Sequence, residues 1–378
     1  MLKKWVAVLV GWLCLWSMVA SASAAETTVS AKCAILYEPT TGLVLFEKNA
    51  DERRPMASTT KLMTALIAAE TRDPDGTVTV TAEAVRVEGS SLGLRAGDQL
   101  SVRDLITGLL VVSGNDAANV IALTVCDSLP AFAERMNRRA AALGMTDTGF
   151  VTPSGLDAEG HFTTARDMAK LAAAVLDNPL LAEICRMKTA TVHIGNPPTP
   201  RVLTNHNRLL FTYEGTVGLK TGFTKKAGRC LVSAVHKNGI TLIAVTLNAP
   251  NDWQDHTHLY DAGFSQIERV EMTPPALPRL WVGGGTKRSI ALQTVTPPAT
   301  ILPSGRADDL RVSVSLARYV WAPLRGGDTV GRVTYTLDDR VIAETDIVAA
   351  EGVAALPETP FWVRFGRCIR QLMRLCLT

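Results

Sequence analysis

The sequence predicts an α/β (α+β) domain, made of an antiparallel sheet and a helical cluster, followed by a small C-terminal all-β domain. Three observations carry this reading. Strand-like runs stand at both ends of the segment from about residue 30 to about residue 265, with helical periodicity between them. A Pro-rich joint, Thr273-Pro274-Pro275-Ala276-Leu277-Pro278, follows and reads as a linker. Beyond it, alternating runs separated by Gly and Pro turns replace the helical pattern. A chain of 378 residues is long enough to bury a full core and to hold two such domains.

The N-terminus is set apart from both. Lys3-Lys4 precedes the apolar run Trp5 to Ala20 and then Ala22-Ser23-Ala24, a small-x-small site. Residues 1–24 therefore read as a secretory signal peptide cleaved after Ala24. A retained membrane anchor is the alternative, weakened by the shortness of the run. On either reading the working part of the chain lies outside the cytoplasm. Thirty-nine Lys and Arg against 36 Asp and Glu give a formal charge of +3, which falls to +1 without the two signal lysines. A nearly neutral mature chain makes no case for nucleic acid.

The elements then follow in order. Lys32 to Tyr37 and Leu43 to Glu47 flank Pro39-Thr40-Thr41-Gly42 and read as a hairpin. Helices are expected over Ser58 to Glu70, Val102 to Val112, Asn115 to Cys126, Leu129 to Leu143 and Thr164 to Leu176. In the last of these Met168, Leu171, Ala172 and Val175 recur at helical spacing, so they belong to a core. Strands return at Thr189 to Ile194, Cys230 to His236 and Ile240 to Leu247, and Asn251 to Gly263 closes the domain as a helix. The expected boundaries are 25–267 for the first domain and 273–355 for the β-rich one, whose runs include Ser289 to Val295, Leu310 to Leu316 and Arg332 to Leu337.

Three short polar stretches carry chemistry. Ser58-Thr59-Thr60-Lys61 opens the first helix and sets a hydroxyl one turn from an amine. An alcohol needs a neighbouring base to attack a carbonyl, and a lysine serves only when neutral. Burial and a second cation would make it so. Backbone N–H groups at the helix start would favour developing negative charge beside Ser58. Taken alone, the stretch reads more readily as an N-cap serine and an exposed lysine. Ser113-Gly114-Asn115, 55 residues on, and Lys220-Thr221-Gly222, a further 107 residues on, change that balance.

S-x-x-K, S-x-N and K-T-G in this order mark β-lactamases and penicillin-binding proteins. The chain resembles the low-molecular-mass penicillin-binding proteins that act as serine-type D-alanyl-D-alanine carboxypeptidases. The likeness extends to Glu47-Lys48-Asn49-Ala50-Asp51, Ala57 to Thr64, Ser113 to Ala118, Leu143-Gly144-Met145, Ser154-Gly155-Leu156, His161 to Ala165 and Lys220 to Thr224. It implies the penicillin-binding-protein/β-lactamase-like fold. It also implies a substrate ending in D-Ala-D-Ala, as in peptidoglycan stem peptides, with β-lactam antibiotics as acylating inhibitors. On this resemblance Ser58 is the nucleophile, Lys61 its base and Ser113 the proton relay. Asn115, Lys220, Thr221, Gly222 and the backbone N–H of Phe223 bind substrate. No metal and no cofactor is expected.

The middle motif has Gly114 where the S-D-N form of the pattern has Asp. Some family members have a carboxylate-binding arginine in the strand here written Gly239 to Ile243, where Thr241 stands. Lys220 and Thr221 alone, or Arg229, would then do its work. His256-Thr257-His258 lacks a third metal ligand and reads as structural or solvated. His161 reads as a hydrogen-bonding turn residue, and Glu134 as an exposed helix charge rather than a β-lactamase deacylation base. Without such a base a β-lactamase is the weaker reading. An endopeptidase would differ only on the leaving-group side, and a non-catalytic sensor would not need all three motifs.

Seven cysteines are present, with no C-x-x-C and no Cys/His ligand spacing, and Cys126 and Cys230 in apolar segments are expected to be buried. At the C-terminus, residues 361–377 place Arg364, Arg367, Arg370, Gln371 and Arg374 on one helical arc, and Phe361, Trp362, Phe365, Ile369, Leu372, Met373 and Cys376 on the other, with Val363 the main exception. A basic amphipathic helix of this kind suits an anionic membrane surface. The expected location is therefore the extracytoplasmic face of the cell membrane.

Overall fold

The computed structural model describes residues 27–295 and 299–357, together with Phe365, Gly366 and Ile369. The expected signal peptide and nearly all of the expected C-terminal helix lie outside these residues. The chain divides into two compact units, one ending at Gln266 and the other beginning at Ile267.

The first unit begins with the hairpin β1 (Cys33–Glu38) and β2 (Leu43–Lys48), turned at Gly42 with φ +76°. A 3-10 turn (Ala57–Thr60) leads into α1 (Lys61–Thr71). Short strands β3 (Thr77–Thr79) and β4 (Gln99–Ser101) precede α2 (Val102–Val111), α3 (Asn115–Val125), α4 (Leu129–Ala142), α5 (Ala165–Asp177) and α6 (Pro179–Cys185). Then come β5 (Thr189–Gly195), β6 (Pro198–Thr204), α7 (Leu209–Thr212), β7 (Thr216–Thr224), β8 (Gly228–Lys237), β9 (Ile240–Leu247) and α8 (Asp252–Gln266).

The main sheet has the order β2-β1-β9-β8-β7 with every pairing antiparallel, so strands from the two ends of the unit meet at its centre. Alternation along β9 explains its continuous apolar sequence, because both faces are covered. Ile243, Val245 and Leu247 join the core shared with α1 to α6. Leu242 lies against Gly263 of α8, and Thr246 bonds His256 of the same helix. α1 sits at the middle of the helical cluster and every residue from Lys61 to Ala68 is buried. Such a helix shows no polar face. Truncating Leu62 or Leu66 to Ala would cost about 2–5 kcal/mol.

The antiparallel sheet and helical cluster are as expected, and several elements are not legible in the sequence. β3, β4, β5 and β6 form a second four-stranded sheet, in which the proline-rich Pro198-Thr199-Pro200 of β6 pairs with β5. α6 is a separate helix, capped by Asn178 Oδ1 accepting from Leu181 N at 3.2 Å. The expected helix at Ser58 begins instead as the 3-10 turn. Cys33, Cys185 and Cys230 are buried free thiols, but Cys126, at the C-terminal end of α3, is only half-buried.

The second unit is all-β between Ile267 and Ala355. β10 (Ile267–Val270) pairs with β14 (Thr300–Pro303). β11 (Leu280–Gly283) lies between β12 (Ser289–Ile290) and β16 (Tyr319–Trp321). β13 (Leu292–Thr294), β15 (Arg311–Leu316), β17 (Thr329–Leu337) and β18 (Arg340–Ala349) form a sheet of order β13-β18-β17-β15. Leu280, Val282, Ile290, Val333, Tyr335 and Ile347 fill the core between these sheets.

Candidate active site

The first motif is a tight turn held from three sides. Thr59 Oγ1 donates to Met56 O at 2.6 Å and Thr60 Oγ1 to Ala57 O at 2.8 Å. Both threonines are buried, whereas Ser58 just before them is half-exposed. Ala57 has φ +48°, a conformation that costs an L-residue about 1–2 kcal/mol. Two glycines permit it. A Cβ on Gly155 would lie 1.9 Å from Ala57 O, and one on Gly222 would lie 3.0 Å from Ser58 N. The close approach of Gly222 brings the free edge of β7 alongside the turn.

Lys61 Nζ is 2.7 Å from Ser58 Oγ, 2.7 Å from Asn115 Oδ1 and 2.6 Å from Ser154 O. All three partners are uncharged, and Lys61 is 0% exposed. Burial holds its pKa well below the usual lysine value, the Lys220 cation lowers it further, and Asp116 pulls the other way. Burial and the neighbouring cation both act toward the neutral amine that a base requires.

The second motif sits between α2 and α3, with Ser113 at φ +65° and almost wholly buried. Asn115 at the start of α3 accepts from Lys61 and donates through Nδ2 to Glu88 O at 2.6 Å. Its side chain is thus turned to the lysine and to the backbone. Asp116 anchors the loop beside it, its carboxylate accepting from Leu92 N, Gly93 N and Leu94 N at 2.8–3.0 Å and from Ser91 Oγ at 2.6 Å. A Cβ on Gly114 would meet Asp116 Oδ1 at 2.8 Å and Leu92 N at 3.0 Å. That contact is the physical reason an aspartate cannot occupy position 114 here.

The third motif lies on the edge strand β7. Lys220 is buried, donates to Thr221 O at 3.0 Å, and is brought by burial down to about 7. Gly222 faces the Ser58 turn, and Phe223 is 66% exposed. Phe223 is in register with Arg229 of β8. The Arg229 guanidinium bonds Asp252 Oδ1 at 2.8 and 3.0 Å and lies over the Trp253 ring. Thr221, Phe223 and Arg229 share one face of the sheet, and Arg229 is a diagonal neighbour of Thr221 at about 7–8 Å.

Thr241 is elsewhere, which corrects the expectation that it marks the place of a carboxylate-binding arginine. It is in register with His236 and bonded to its Nδ1 at 2.9 Å. Val245, four residues along β9, is the residue level with Val232 and Lys220. The offset is about 13 Å along the strand.

The other polar candidates have structural partners. His161 Nδ1 accepts from Val151 N at 2.9 Å and its Nε2 is 2.9 Å from Thr60 Oγ1. Burial lowers it to about 4, so it is neutral and braces the turn. His256 is enclosed between Ser233 Oγ and Thr246 Oγ1, whereas His258 is exposed. Glu134 is exposed and pairs with Arg138 one helical turn away. His161 is thus the hydrogen-bonding turn residue expected, whereas sequence reasoning assigned no part to the Ser154 carbonyl or to Asp116. The turn-like Pro153-Ser154-Gly155 was the available signal for the first of these.

Three motifs far apart in sequence thus line one cleft edge, with a serine, a buried amine and an edge strand in contact. Residues 19–251 match the family model for D-alanyl-D-alanine carboxypeptidase, peptidase S11. The chain belongs to this family of serine-type D-alanyl-D-alanine carboxypeptidases. Residues 279–355 match the C-terminal domain of penicillin-binding protein 5. The carboxypeptidase is 35% identical over 359 residues to D-alanyl-D-alanine carboxypeptidase DacC of Escherichia coli, covering 88% of each chain. It is 31% identical over 337 residues to DacF of Bacillus subtilis, covering 86% of each. Among solved structures, penicillin-binding protein 5 of Haemophilus influenzae superimposes with a TM-score of 0.68 at 28% identity, covering 86% of this chain and 98% of that one.

Proposed function

We propose that this D-alanyl-D-alanine carboxypeptidase trims peptidoglycan stem peptides through an acyl-enzyme on Ser58. The observation that carries the assignment is the 2.7 Å contact between Ser58 Oγ and the fully buried amine of Lys61. Neutral Lys61 takes the Ser58 proton as Oγ attacks the carbonyl between the two alanines. The Ser58 and Phe223 backbone N–H groups receive the oxyanion. The C–N bond then breaks, Ser113 relays the proton to the leaving amine, and free D-alanine departs. Water hydrolyses the ester and restores the serine.

Burial favours neutral Lys61 and the positive charge of Lys220 adds to that effect, and with Thr221 Lys220 attracts the terminal carboxylate. Arg229, on the same sheet face as Thr221, completes that subsite in place of Thr241. Asn115 orients Lys61, and holding a substrate amide as well requires Nδ2 to exchange its bond to Glu88 O. A β-lactam ring presents the same carbonyl and carboxylate and would acylate Ser58. The enzyme works on the extracytoplasmic side, carried there by residues 1–24 and held at the membrane by residues 361–377. Among the described residues no helix is long and apolar enough to cross a membrane.

The test is D-alanine release from a diacetylated L-Lys-D-Ala-D-Ala peptide by the mature protein and by Ser58→Ala. Release that disappears with Ser58→Ala supports the assignment. Labelling of Ser58 by penicillin without D-alanine release would refute it for this substrate and direct attention to cross-linked muropeptides.

A further inference from the structure

The second unit carries an aromatic surface that its fold does not use. β11 and β16 pair in parallel, Trp281 opposite Tyr319 and Gly283 opposite Trp321. Alternation sends Leu280, Val282 and Val320 toward the core and the aromatics outward. Trp281, Tyr319 and Trp321 are 63%, 57% and 68% exposed, although residues of this size usually gain several kcal/mol from burial. Tyr319 and Trp321 are ordered edge to face at 5.8 Å. A Cβ on Gly283 would lie 2.7 Å from the Trp321 ring, so the indole rests across that glycine. The platform is thus built into the strands rather than hung on a loop.

The segments that carry it are basic in sequence, with Glu351 and Asp328 the acidic residues bonded to them. Arg279 to Ile290 and Ala317 to Arg325, the two segments that carry the aromatics, contain Arg279, Lys287, Arg288, Arg318 and Arg325 and no acidic residue. Lys287 alone of these pairs with a carboxylate among the described salt bridges, that of Glu351. The last continuous described stretch also lies at this place. Ala355 bridges Gly285, and Leu356, itself exposed, donates its N–H to Gly284 O at 2.8 Å. In sequence, the basic, apolar stretch from Phe361 onward follows Leu356 closely.

We propose that Trp281, Tyr319 and Trp321, with their arginine rim, form a second membrane contact that seats the C-terminal domain on an anionic lipid surface. Tryptophan and tyrosine settle at the headgroup level, where one edge is apolar and the other wet. Each arginine near an anionic surface adds attraction that salt screens. The rim of cations favours anionic lipid over an uncharged glycan, for which the same rings would offer stacking alone.

The test compares the full mature chain with Trp281→Ser/Trp321→Ser and with Trp281→Phe/Trp321→Phe. Sedimentation with phosphatidylglycerol-containing and pure phosphatidylcholine vesicles at low and high salt measures partitioning, and brominated lipid probes indole depth. The serine variant should partition about tenfold less onto anionic vesicles and lose most of the quenching, with the phenylalanine variant in between. The preference for anionic vesicles should shrink at high salt. Unchanged thermal unfolding and protease resistance of the second unit show that the serine variant is folded there, and unchanged D-alanine release from a soluble peptide shows that the first unit is intact. Partitioning and quenching that survive in the serine variant overturn the proposal. So does retained vesicle binding with lost binding to purified peptidoglycan, which would mark the platform as a glycan site.

Discussion

Gly222 and Ser58 are in van der Waals contact across the sheet edge, with a Cβ at position 222 falling 3.0 Å from the Ser58 amide nitrogen. The same Cβ would lie 3.1 Å from both Met56 O and Thr59 N, all backbone atoms that cannot rotate away. Gly222→Ala must therefore push β7 and the nucleophile turn apart. The shift needed is a few tenths of an ångström, and where a 1 Å misplacement costs about 100-fold in rate, this one costs roughly fivefold. We expect the second-order acylation rate with a fluorescent penicillin to fall by about that factor, with the melting temperature lowered by only a few degrees. Wild-type acylation in Gly222→Ala would mean that the contact is not part of the catalytic geometry.

The two buried amines set the pH dependence. Lys61 acts when neutral, so acylation should fall as pH drops through its lowered pKa. Lys220 is one cause of that lowering, and removing its charge lets the Lys61 pKa rise. The acid limb of the residual acylation rate in Lys220→Gln should accordingly move to higher pH. Stability follows its own sign. Lys220 titrates near 7 when folded against an ordinary 10.5, so between those values the unfolded chain binds more protons and stability rises with pH. Melting curves from pH 7 to 10 should show that rise in the wild type and a smaller one in Lys220→Gln.

Much of the site was legible because its chemistry is written in short motifs. Ser58, Lys61, Ser113 and Lys220 were each named from a tripeptide or tetrapeptide, and the structure gathers those stretches around one turn. What could not be read depended on contacts between backbone segments remote in sequence. The Ser154 carbonyl reaches Lys61 across 93 residues, and no residue type announces a carbonyl. Thr241 was misplaced because strand register decides which end of β9 faces the third motif, and register is set by pairing with β8. β6 was missed because Pro198 and Pro200 break the alternation that marks a strand. The central helix α1, buried all round, offered no amphipathic stripe, but its apolar run was signal enough.

Asp116 links loop order to the base. Its carboxylate is buried and accepts three consecutive loop N–H groups, so Asp116→Asn leaves part of that set without an acceptor. The expected loss is about 3 kcal/mol of stability, measured by urea denaturation. Asp116 also raises the Lys61 pKa, so its neutralisation should move the acid limb of acylation to lower pH. This is opposite in direction to Lys220→Gln. Parallel shifts in the two variants would show that loop disorder, not charge, controls the base.

Arg229 is the remaining cation on the face of the third motif. Its guanidinium is held by the buried Asp252 and by the Trp253 ring, which limits the rotamers it must give up on binding a carboxylate. Arg229→Gln should raise KM for a peptide ending in a free D-alanine carboxylate about tenfold, or ~1.4 kcal/mol, with kcat changed much less. The same variant should treat a C-terminally amidated peptide almost as the wild type does, because that substrate never used the charge. A merely structural arginine would affect both substrates alike. Thr241→Ala, remote along β9, should leave both constants unchanged. If Thr241→Ala instead raises KM for the free acid while Arg229→Gln does not, the carboxylate is bound by a different part of the sheet and the assignment of Arg229 fails.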